Sequence, residues 1–216
     1  MTGPTLADIM LLSEDNEVKK TLLNQGIGTN YDVFCERVED AILEGIAKME
    51  AMKPQFSTLG EDPLTGILAF GLHMKGFSAD HDNYRNGHCD LVVTSGRYEW
   101  YGEAKLDKGP NYVLEGFRQL CDRYAPGGGF SCRGGLIIYT AKRNKLRILD
   151  IWAKRIKKSF GIPTNFSPIC KLTLTVKSSH IHPASGLDFK VRHFPISFYH
   201  RPTDKSARSR KDNKGA

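Results

Sequence analysis

Residues 88–106, HCDLVVTSGRYEWYGEAKL, predict two strands joined by a tight turn. The first strand, 88–95, is rich in β-branched residues after its opening residues, and the second spans 98–106. A hairpin centred on Gly96 leaves equal numbers of residues on either side of the turn, so the two strands pair in a defined register. We therefore expect this stretch to form the centre of a sheet.

The hairpin brings three ionisable side chains together. Glu103 and Lys105 share one face of their strand because side chains alternate, and the register places Asp90 near Glu103 across the ladder. Two close carboxylates repel each other, and a hard divalent cation relieves that repulsion. Mg²⁺ takes one or two carboxylates and keeps water for a phosphate substrate, so the pattern predicts a magnesium site. The alternative is a surface ion pair beside an aspartate that caps a turn.

The flanking sequence adds helices and further strands. A helix is expected from Asn30, a good N-cap residue, to about Met52, with one apolar stripe. The other segments, in chain order, are a helix over 6–24, a strand over 65–74, a helix over 111–124 and a strand over 135–140. Residues 76–87 are predicted to be a polar loop that leads into Asp90.

The C-terminal third is less uniform in pattern. Residues 146–160 suit an amphipathic helix or a strand extension, and 172–176 and 189–199 predict strands that add antiparallel to the core. The fold class expected is α/β, a mixed central sheet flanked by helices, with a core over about 30–140. We expect one domain over 1–202 and a basic, disordered tail over 203–216.

Composition excludes several classes of protein. The chain has 216 residues, of which 40% are hydrophobic and 25% charged, which excludes wholesale disorder. Its five cysteines are scattered without a Cys-x-x-Cys pair, which argues against a disulfide framework or a zinc ribbon. The first 25 residues lack the pattern of a secretory signal, and no apolar run is long enough to span a bilayer. We expect a soluble, cytoplasmic protein without a membrane partner.

Positive charge is concentrated in two places. The net charge is +7, and the tail from 201 to 216 contributes +4. Residues 142–158 contribute another +7, so the rest of the chain is slightly acidic. This distribution suits a polyanion partner, although a solvated helix face with a solubilising tail would have the same composition. The candidate nucleic-acid-binding residues are Lys142, Arg143, Lys145, Lys154, Arg155, Lys157 and Lys158.

With Asp90 at a strand start, Glu103-x-Lys105 in the next strand and the order helix, three strands, helix, strand, the sequence resembles the PD-(D/E)xK nuclease superfamily. The resemblance implies a restriction-endonuclease-like fold with an αβββαβ core and extra C-terminal strands. It implies that Asp90 and Glu103 bind Mg²⁺, with Mn²⁺ as a substitute, and that Lys105 assists the attacking water. Cys89 stands where the family often has proline.

The resemblance also implies two further site residues. Many members add a glutamate from the first core helix, and Glu44 is the candidate for both metal binding and catalysis, with Glu39 and Asp40 as substitutes. Several branches place a glutamine, often with a tyrosine, on the helix after the Glu-x-Lys strand. Gln119 and Tyr124 match that pattern.

From these observations we expect a magnesium-dependent DNA endonuclease, and the resemblance implies that it serves restriction, anti-phage defence or DNA repair. The resemblance implies DNA as a partner, with either a second copy of the chain or a separate motor subunit. The chain lacks a phosphate-binding Gly-Lys-Ser/Thr loop, so any ATP-driven step would need another subunit. The alternative is a nuclease-like module that binds nucleic acid or a partner protein without cutting.

Overall fold

A computed structural model describes residues 30–84, 87–159 and 165–204. The helices are α1 (Tyr31–Ala51), α2 (Lys53–Phe56), α3 (Glu61–Met74), α4 (Pro110–Arg118), which continues as a π-helical segment (Gln119–Tyr124), and α5 (Lys145–Ser159). The strands are β1 (Ser78–Tyr84), β2 (His88–Ser95), β3 (Tyr98–Leu106), β4 (Arg133–Thr140), β5 (Asn165–Phe166), β6 (Val176–Ile181) and β7 (Asp188–Ser197). The helix predicted over 6–24 and most of the predicted tail lie outside the described residues.

The seven strands form one open sheet in the order β1-β2-β3-β4-β7-β6-β5. The β3–β4 and β4–β7 pairs are parallel, and the other four pairs are antiparallel. The prediction of a mixed α/β sheet with flanking helices is confirmed at this level. One detail was wrong: β7 does not add antiparallel to the core but runs parallel to β4, and β6 and β5 then pair antiparallel beyond it.

Helix α1 forms as its sequence predicts. The side chain of Asn30 accepts a hydrogen bond from the Val33 amide at 3.0 Å, which satisfies one of the open N–H groups of the first turn. Phe34, Val38 and Ile42 lie along one buried face of the helix. This stripe packs on the sheet and fixes the helix across one of its faces.

The predicted strand over 65–74 is wrong, because these residues belong to helix α3. Ile67, Phe70 and Met74 are exposed apolar residues on its outer face, so the sequence shows a nearly continuous apolar run instead of a helical stripe. The buried positions do follow a helical period, and they are Leu64, Thr65, Leu68, Ala69 and Leu72.

Strand β1 occupies the stretch predicted to be a polar loop. Its residues are polar because β1 is an edge strand whose side chains are exposed or half-buried, and its order comes from backbone pairing with β2. The ladder pairs His81 with Leu91 and Asn83 with Cys89, but it is interrupted at Asp82, which has a φ of 55°. Side-chain patterning carries no signal for such a strand.

Two other segments of the C-terminal third are now defined. The ambiguous stretch over 146–160 is helix α5, whose buried face contains Leu149, Trp152 and Ile156. The strand predicted over 172–176 is wrong for most of its length, because residues 171–174 form a turn in which Leu174 has a φ of 50°. Strand β6 begins only at Val176.

The sheet separates two apolar cores. One lies between the sheet and helices α1 and α3, and the other lies between the sheet and helices α4 and α5. Tyr101 belongs to the second core, and because side chains alternate, Glu103 and Lys105 point to that same face further along β3. No helix in the described part of the chain is long and apolar enough to cross a membrane.

Candidate active site

The register of β2 and β3 brings Asp90 and Glu103 together, as the sequence predicts. Leu91 pairs with Gly102, so the residues next to them, Asp90 and Glu103, oppose each other where β2 begins. The Oδ2 atom of Asp90 accepts a hydrogen bond from the Ala104 amide at 2.8 Å, which fixes the carboxylate beside β3. The spacing around Gly96 therefore determines the position of both carboxylates.

Lys105 connects these carboxylates to a third one. Its Nζ atom lies 2.5 Å from Glu103 Oε1, 3.7 Å from Asp90 Oδ2 and 3.8 Å from Glu61 Oε2. We refer to Asp90, Glu103, Lys105 and Glu61 as the carboxylate cluster. Lys105 therefore lies beside the two converging acids, Asp90 and Glu103, as the sequence predicts.

Glu61 is the member of the cluster that sequence reasoning missed. It lies in the first turn of α3, where its Oε1 accepts a hydrogen bond from the Tyr112 hydroxyl at 2.7 Å and lies 3.8 Å from Lys108 Nζ. The segment Gly60-Glu-Asp-Pro63 carries a helix-start signal, with acids in the first turn and proline close to the start. That signal would have predicted α3 and placed Glu61 at its beginning.

Burial determines the protonation of the cluster. The side chain of Glu103 is 1% exposed, and that of Asp90 is 26% exposed. Burial, followed by the charge of Asp90, raises the pKa of Glu103 to about 8, and burial also raises the pKa of Asp90. Burial alone would lower the pKa of Lys105, but the nearby carboxylates, led by Glu103, outweigh it and raise that pKa. The lysine is therefore a fixed cation between carboxyl groups that hold protons more tightly than usual.

A glycine in α4 lets this helix pack directly on the cluster. A Cβ atom at Gly116 would lie 2.6 Å from Lys105 Cγ, 2.8 Å from Lys105 Cε and 3.2 Å from Glu103 Cγ. A larger side chain at this position would force the Lys105 side chain to shift and would crowd Glu103. The helix thus covers one side of the cluster and confines the lysine chain.

The π-helical segment ends beside the cluster at Tyr124. This tyrosine is buried, and its pKa is raised to about 12 by burial and then by the charges of Glu103 and Asp90. Gln119 is half-buried at the start of the same segment. A role for Gln119 in the chemistry stays a prediction.

The three candidate acids of α1 lie elsewhere, which corrects the choice of Glu44. Glu44 is 67% exposed, and its carboxylate accepts a hydrogen bond from Lys75 Nζ at 2.6 Å. Glu39 is buried and pairs with Arg133 Nε at 2.9 Å and with Arg192 Nη1 at 3.3 Å, and Asp40 is exposed near Arg192. The helix acid of this site comes from α3, because α1 crosses the sheet away from the end of β3 that carries Lys105.

The predicted basic segment corresponds to α5 and the loop before it, and five of its seven candidates have partners. Lys142 lies 2.8 Å from Asp107, Lys145 lies 2.8 Å from Glu50, and Lys154 lies 2.7 Å from Asp150. Arg155 donates to Asn111, Lys157 lies over the ring of Phe166, and Arg143 and Lys158 are exposed. Binding of DNA by this surface stays a prediction.

The donor set of the cluster fits a small, hard cation. Within the described ranges, no three His, Cys, Asp or Glu side chains are arranged to hold an ion by themselves. Asp90 and Glu103 supply two carboxylates, and Mg²⁺ takes one or two carboxylates while water and substrate phosphate fill the other positions. The carboxyl group of Glu103 is buried and hydrogen-bonded to that of Asp90, so a cation would bind in place of the proton that the two groups share.

Comparison with known proteins finds a distant relative. The chain matches no protein-family model and no solved structure. It is 26% identical over 139 residues, 64% of its length, to the protein-arginine N-acetylglucosaminyltransferase SseK3 of Salmonella typhimurium (strain SL1344). The aligned region spans 40% of that protein.

This similarity overturns the functional predictions made from the sequence. The relative is a glycosyltransferase, so the resemblance to PD-(D/E)xK nucleases, the predicted DNA endonuclease and its assignment as a metal-dependent phosphodiesterase are wrong. The non-catalytic nuclease-like module is not supported either. The short Asp…Glu-x-Lys pattern misled because it specifies a carboxylate–lysine cluster, and a shared arrangement of residues on a fold does not by itself determine the function. The similarity found is to a transferase.

Proposed function

We propose that this protein is a divalent-cation-dependent transferase and that the carboxylate cluster is its catalytic centre. Asp90 and Glu103 would hold Mg²⁺ or Mn²⁺, and Lys105 would contact the phosphate of an activated donor. The group transferred is a sugar. The acceptor is a nucleophilic side chain of another protein.

The observation that carries this proposal is the buried carboxyl group of Glu103. It is hydrogen-bonded to a second carboxyl group, that of Asp90, and its pKa is raised to about 8. A carboxylate in such a place is costly unless a cation compensates it. Lys105 compensates one oxygen, and a divalent cation would compensate the other.

The class of reaction comes from the relative. Its name states that it transfers N-acetylglucosamine to arginine in proteins. For this chain we infer the same general chemistry: the acceptor nucleophile attacks the anomeric carbon of the sugar, and the bond from that carbon to the donor phosphate oxygen breaks. The phosphate leaves with the electron pair, and the proton of the acceptor passes to a carboxylate.

The residues of the cluster divide these tasks. A cation held by Asp90 and Glu103 would neutralise charge on the phosphate leaving group. Lys105 adds a fixed positive charge at the same place, confined by the close approach of Gly116. Glu61, at the start of α3, is held by the Tyr112 hydroxyl, and we assign it the role of receiving the proton of the acceptor.

A transfer assay tests this function. The full chain is incubated with UDP-N-acetylglucosamine, Mn²⁺ or Mg²⁺, and an arginine-containing acceptor protein, and the mass of the acceptor is measured. We expect an increase equal to one sugar residue that disappears when EDTA replaces the cation. Glu103→Gln should reduce the rate by at least about a hundredfold, because it removes a charge that acts on the transition state.

The matched control is Glu44→Gln, which makes the same chemical change at an exposed acid of α1. Its rate should equal that of the wild type. Cation-independent transfer, equal loss in both variants, or cutting of a nucleic acid without any sugar transfer would overturn the proposal.

A further inference from the structure

A polar groove lies on the face of the sheet that carries α1, opposite to the face to which Glu103 points. It has a volume of about 590 Å³ and runs between α1 and strands β7, β6 and β5. Ligand-binding cavities have volumes of about 300–1,000 Å³, so the groove can hold a small ligand. We refer to it as the polar groove, and the side chains of its floor are Arg133, Lys177, Ser179, Lys190 and Arg192.

Strand pairing aligns the side chains of this floor. Ser179 of β6 pairs with Lys190 of β7, and Lys190 pairs in turn with Arg133 of β4. Lys177 pairs with Arg192 in the same way, two residues along each strand. Paired residues on neighbouring strands share one face, and neighbouring strands lie about 5 Å apart. The floor is therefore a compact grid of hydrogen-bond donors.

The donors of β6 and β7 face the open groove and not a packed core. Every second residue of β6 is buried, whereas Lys177 is 51% exposed and Ser179 is half-buried. Lys190 is 56% exposed, and its ammonium group lies 4.0 Å from Asp32 Oδ1. Helix α1 packs on β3, β4 and β7. A ligand can therefore reach the floor beside this helix.

Cations outnumber carboxylates at the bottom of the groove. Glu39 is 1% exposed, and three cationic groups lie within 4 Å of its carboxylate, those of Arg133, Arg192 and Lys177. Arg192 is 10% exposed and donates hydrogen bonds from Nε and Nη1, but its Nη2 has no hydrogen-bonding partner among the described residues. The Ser179 hydroxyl has no such partner either. A largely buried donor without a partner is costly, and a bound acceptor removes that cost.

Acidic side chains of α1 form the rim of the groove. Asp32 lies 3.3 Å from Arg133, and Asp40 lies 3.8 Å from Arg192. Glu36 lines the groove one turn after Asp32. Asp32 and Asp40 are 67% and 72% exposed, so water and salt screen their charges more than those of the floor. This arrangement repels an extended polyanion, whose charges would have to cross the rim, and it admits a single small anion on the floor.

We propose that the polar groove is a second ligand site of this protein and that it binds one phosphate group. The phosphate accepts hydrogen bonds from Arg192 Nη2, from the Lys177 and Lys190 ammonium groups and from the Ser179 hydroxyl. A phosphate group has at least three acceptor oxygens and nearly two negative charges, whereas a carboxylate has two oxygens and one charge, so phosphate uses more of these donors. The site does not rest on the proposed transferase function, because it contains no residue of the carboxylate cluster.

Calorimetric titration of the full chain in EDTA tests this proposal, with inorganic phosphate, O-phosphoserine and acetate as probes. EDTA removes the divalent cations that would hold phosphate at the carboxylate cluster. We expect inorganic phosphate or O-phosphoserine to bind at least about tenfold more tightly than acetate. The tighter of these two probes distinguishes free phosphate from a phosphate monoester as the ligand.

Two variants locate the binding in the groove. Lys190→Gln should weaken phosphate binding by about tenfold or more, whereas Lys154→Gln, the same change at an exposed lysine of α5, should bind as the wild type does. Asp32→Asn removes an acid of the rim and should strengthen phosphate binding by about threefold, a gain that misfolding does not produce. No phosphate binding, equal affinity for phosphate and acetate, or equal affinity in Lys190→Gln and Lys154→Gln would overturn the inference.

Discussion

The ammonium group of Lys105 lies 2.5 Å from Oε1 of Glu103, two residues earlier on the same face of β3. The pair is held in place from two sides, by Asp90 across the ladder and by Gly116 of α4 above it. Because Glu103 is almost completely buried, this contact lacks the screening by water that weakens surface ion pairs. Local charge therefore controls both the stability and the chemistry of this part of the protein.

The first prediction concerns stability and pH. Burial raises the pKa of Glu103 from 4.5 to about 8, so between these pH values the folded protein holds a proton that the unfolded chain has lost. The contribution of Glu103 to the free energy of unfolding should consequently decrease as the pH rises from about 4.5 to 8, and the difference between Glu103→Gln and the wild type isolates it. Glu103→Gln removes this charge, and we expect it to be about 1–2 kcal/mol more stable than the wild type at pH 8 without divalent cations.

Urea denaturation at pH 5 and pH 8 measures this difference. At pH 5 the advantage of Glu103→Gln should shrink, because the wild-type carboxyl group is then neutral in the folded state. A stability advantage of Glu103→Gln that is equal at both pH values, or a variant less stable than the wild type at pH 8, would show that the pKa of Glu103 is not raised by burial.

The sequence was sufficient to predict those members of the carboxylate cluster whose positions depend on the pairing of two neighbouring strands. The two strands and their turn at Gly96 determine which residues oppose each other, so Asp90, Glu103 and Lys105 could be brought together without a structure. Helix α1 was predicted for a similar reason, because its cap and apolar stripe agree.

The predicted and observed structures differ in segments whose conformation or position depends on tertiary contacts. The exposed apolar residues of α3 hide its helical period, and the missed helix concealed Glu61. Strand β1 is ordered by its neighbour β2, and the place of β7 beside β4 depends on a long-range parallel pairing that leaves no local pattern. Choosing Glu44 failed because the position of an acid on α1 does not reveal how that helix crosses the sheet.

The second prediction tests the close approach of α4. Gly116→Ala should lower the affinity for Mn²⁺ by about tenfold, because the new methyl group would displace Lys105 and Glu103. Gly71→Ala is the control, since a Cβ there meets nothing within 4 Å in helix α3 and should stabilise the protein by about 0.5–1 kcal/mol. Calorimetry measures the Mn²⁺ affinity, and urea denaturation measures the free energy of unfolding. Unchanged Mn²⁺ affinity in Gly116→Ala would contradict the role assigned to this contact.

The third prediction concerns the buried ion pairs of α1. Glu39 is 1% exposed and pairs with Arg133 and Arg192, so Glu39→Gln removes the buried countercharge of two largely buried guanidinium groups and leaves them beside the exposed Asp32 and Asp40. We expect a loss of about 3–5 kcal/mol in the free energy of unfolding. Glu44→Gln, on the same helix but exposed, should change it by less than about 1 kcal/mol. Similar losses in the two variants would refute a structural role for the Glu39 network.

The fourth prediction concerns two buried histidines that stabilise the packing of α5. His193 accepts a hydrogen bond from Trp152 Nε1 at 3.0 Å, and the Ser178 hydroxyl lies 2.8 Å from its other ring nitrogen and 2.7 Å from His180. Burial lowers the pKa of His193 to about 3 and that of His180 to about 4. Both rings are therefore neutral in the folded state, whereas the unfolded chain takes up protons near pH 6.5.

The contribution of the two histidines to stability should thus decrease as the pH falls below about 6.5, by roughly 1 kcal/mol per pH unit for each histidine. Urea denaturation between pH 7 and pH 5 checks the slope. His200→Asn, which changes an exposed histidine, should leave the slope unchanged, and His180→Asn should reduce it. A slope that is the same in all three proteins would exclude the buried histidines as its source.

The most direct measurement is a calorimetric titration of Mn²⁺ into the wild type, Glu103→Gln and Glu44→Gln at pH 8. We predict one binding site per chain in the wild type, the same affinity in Glu44→Gln, and a loss of about a hundredfold or more in Glu103→Gln. Equal Mn²⁺ affinity in all three proteins, or no binding by the wild type, would contradict the assignment of Asp90 and Glu103 as the centre of a cation-dependent enzyme.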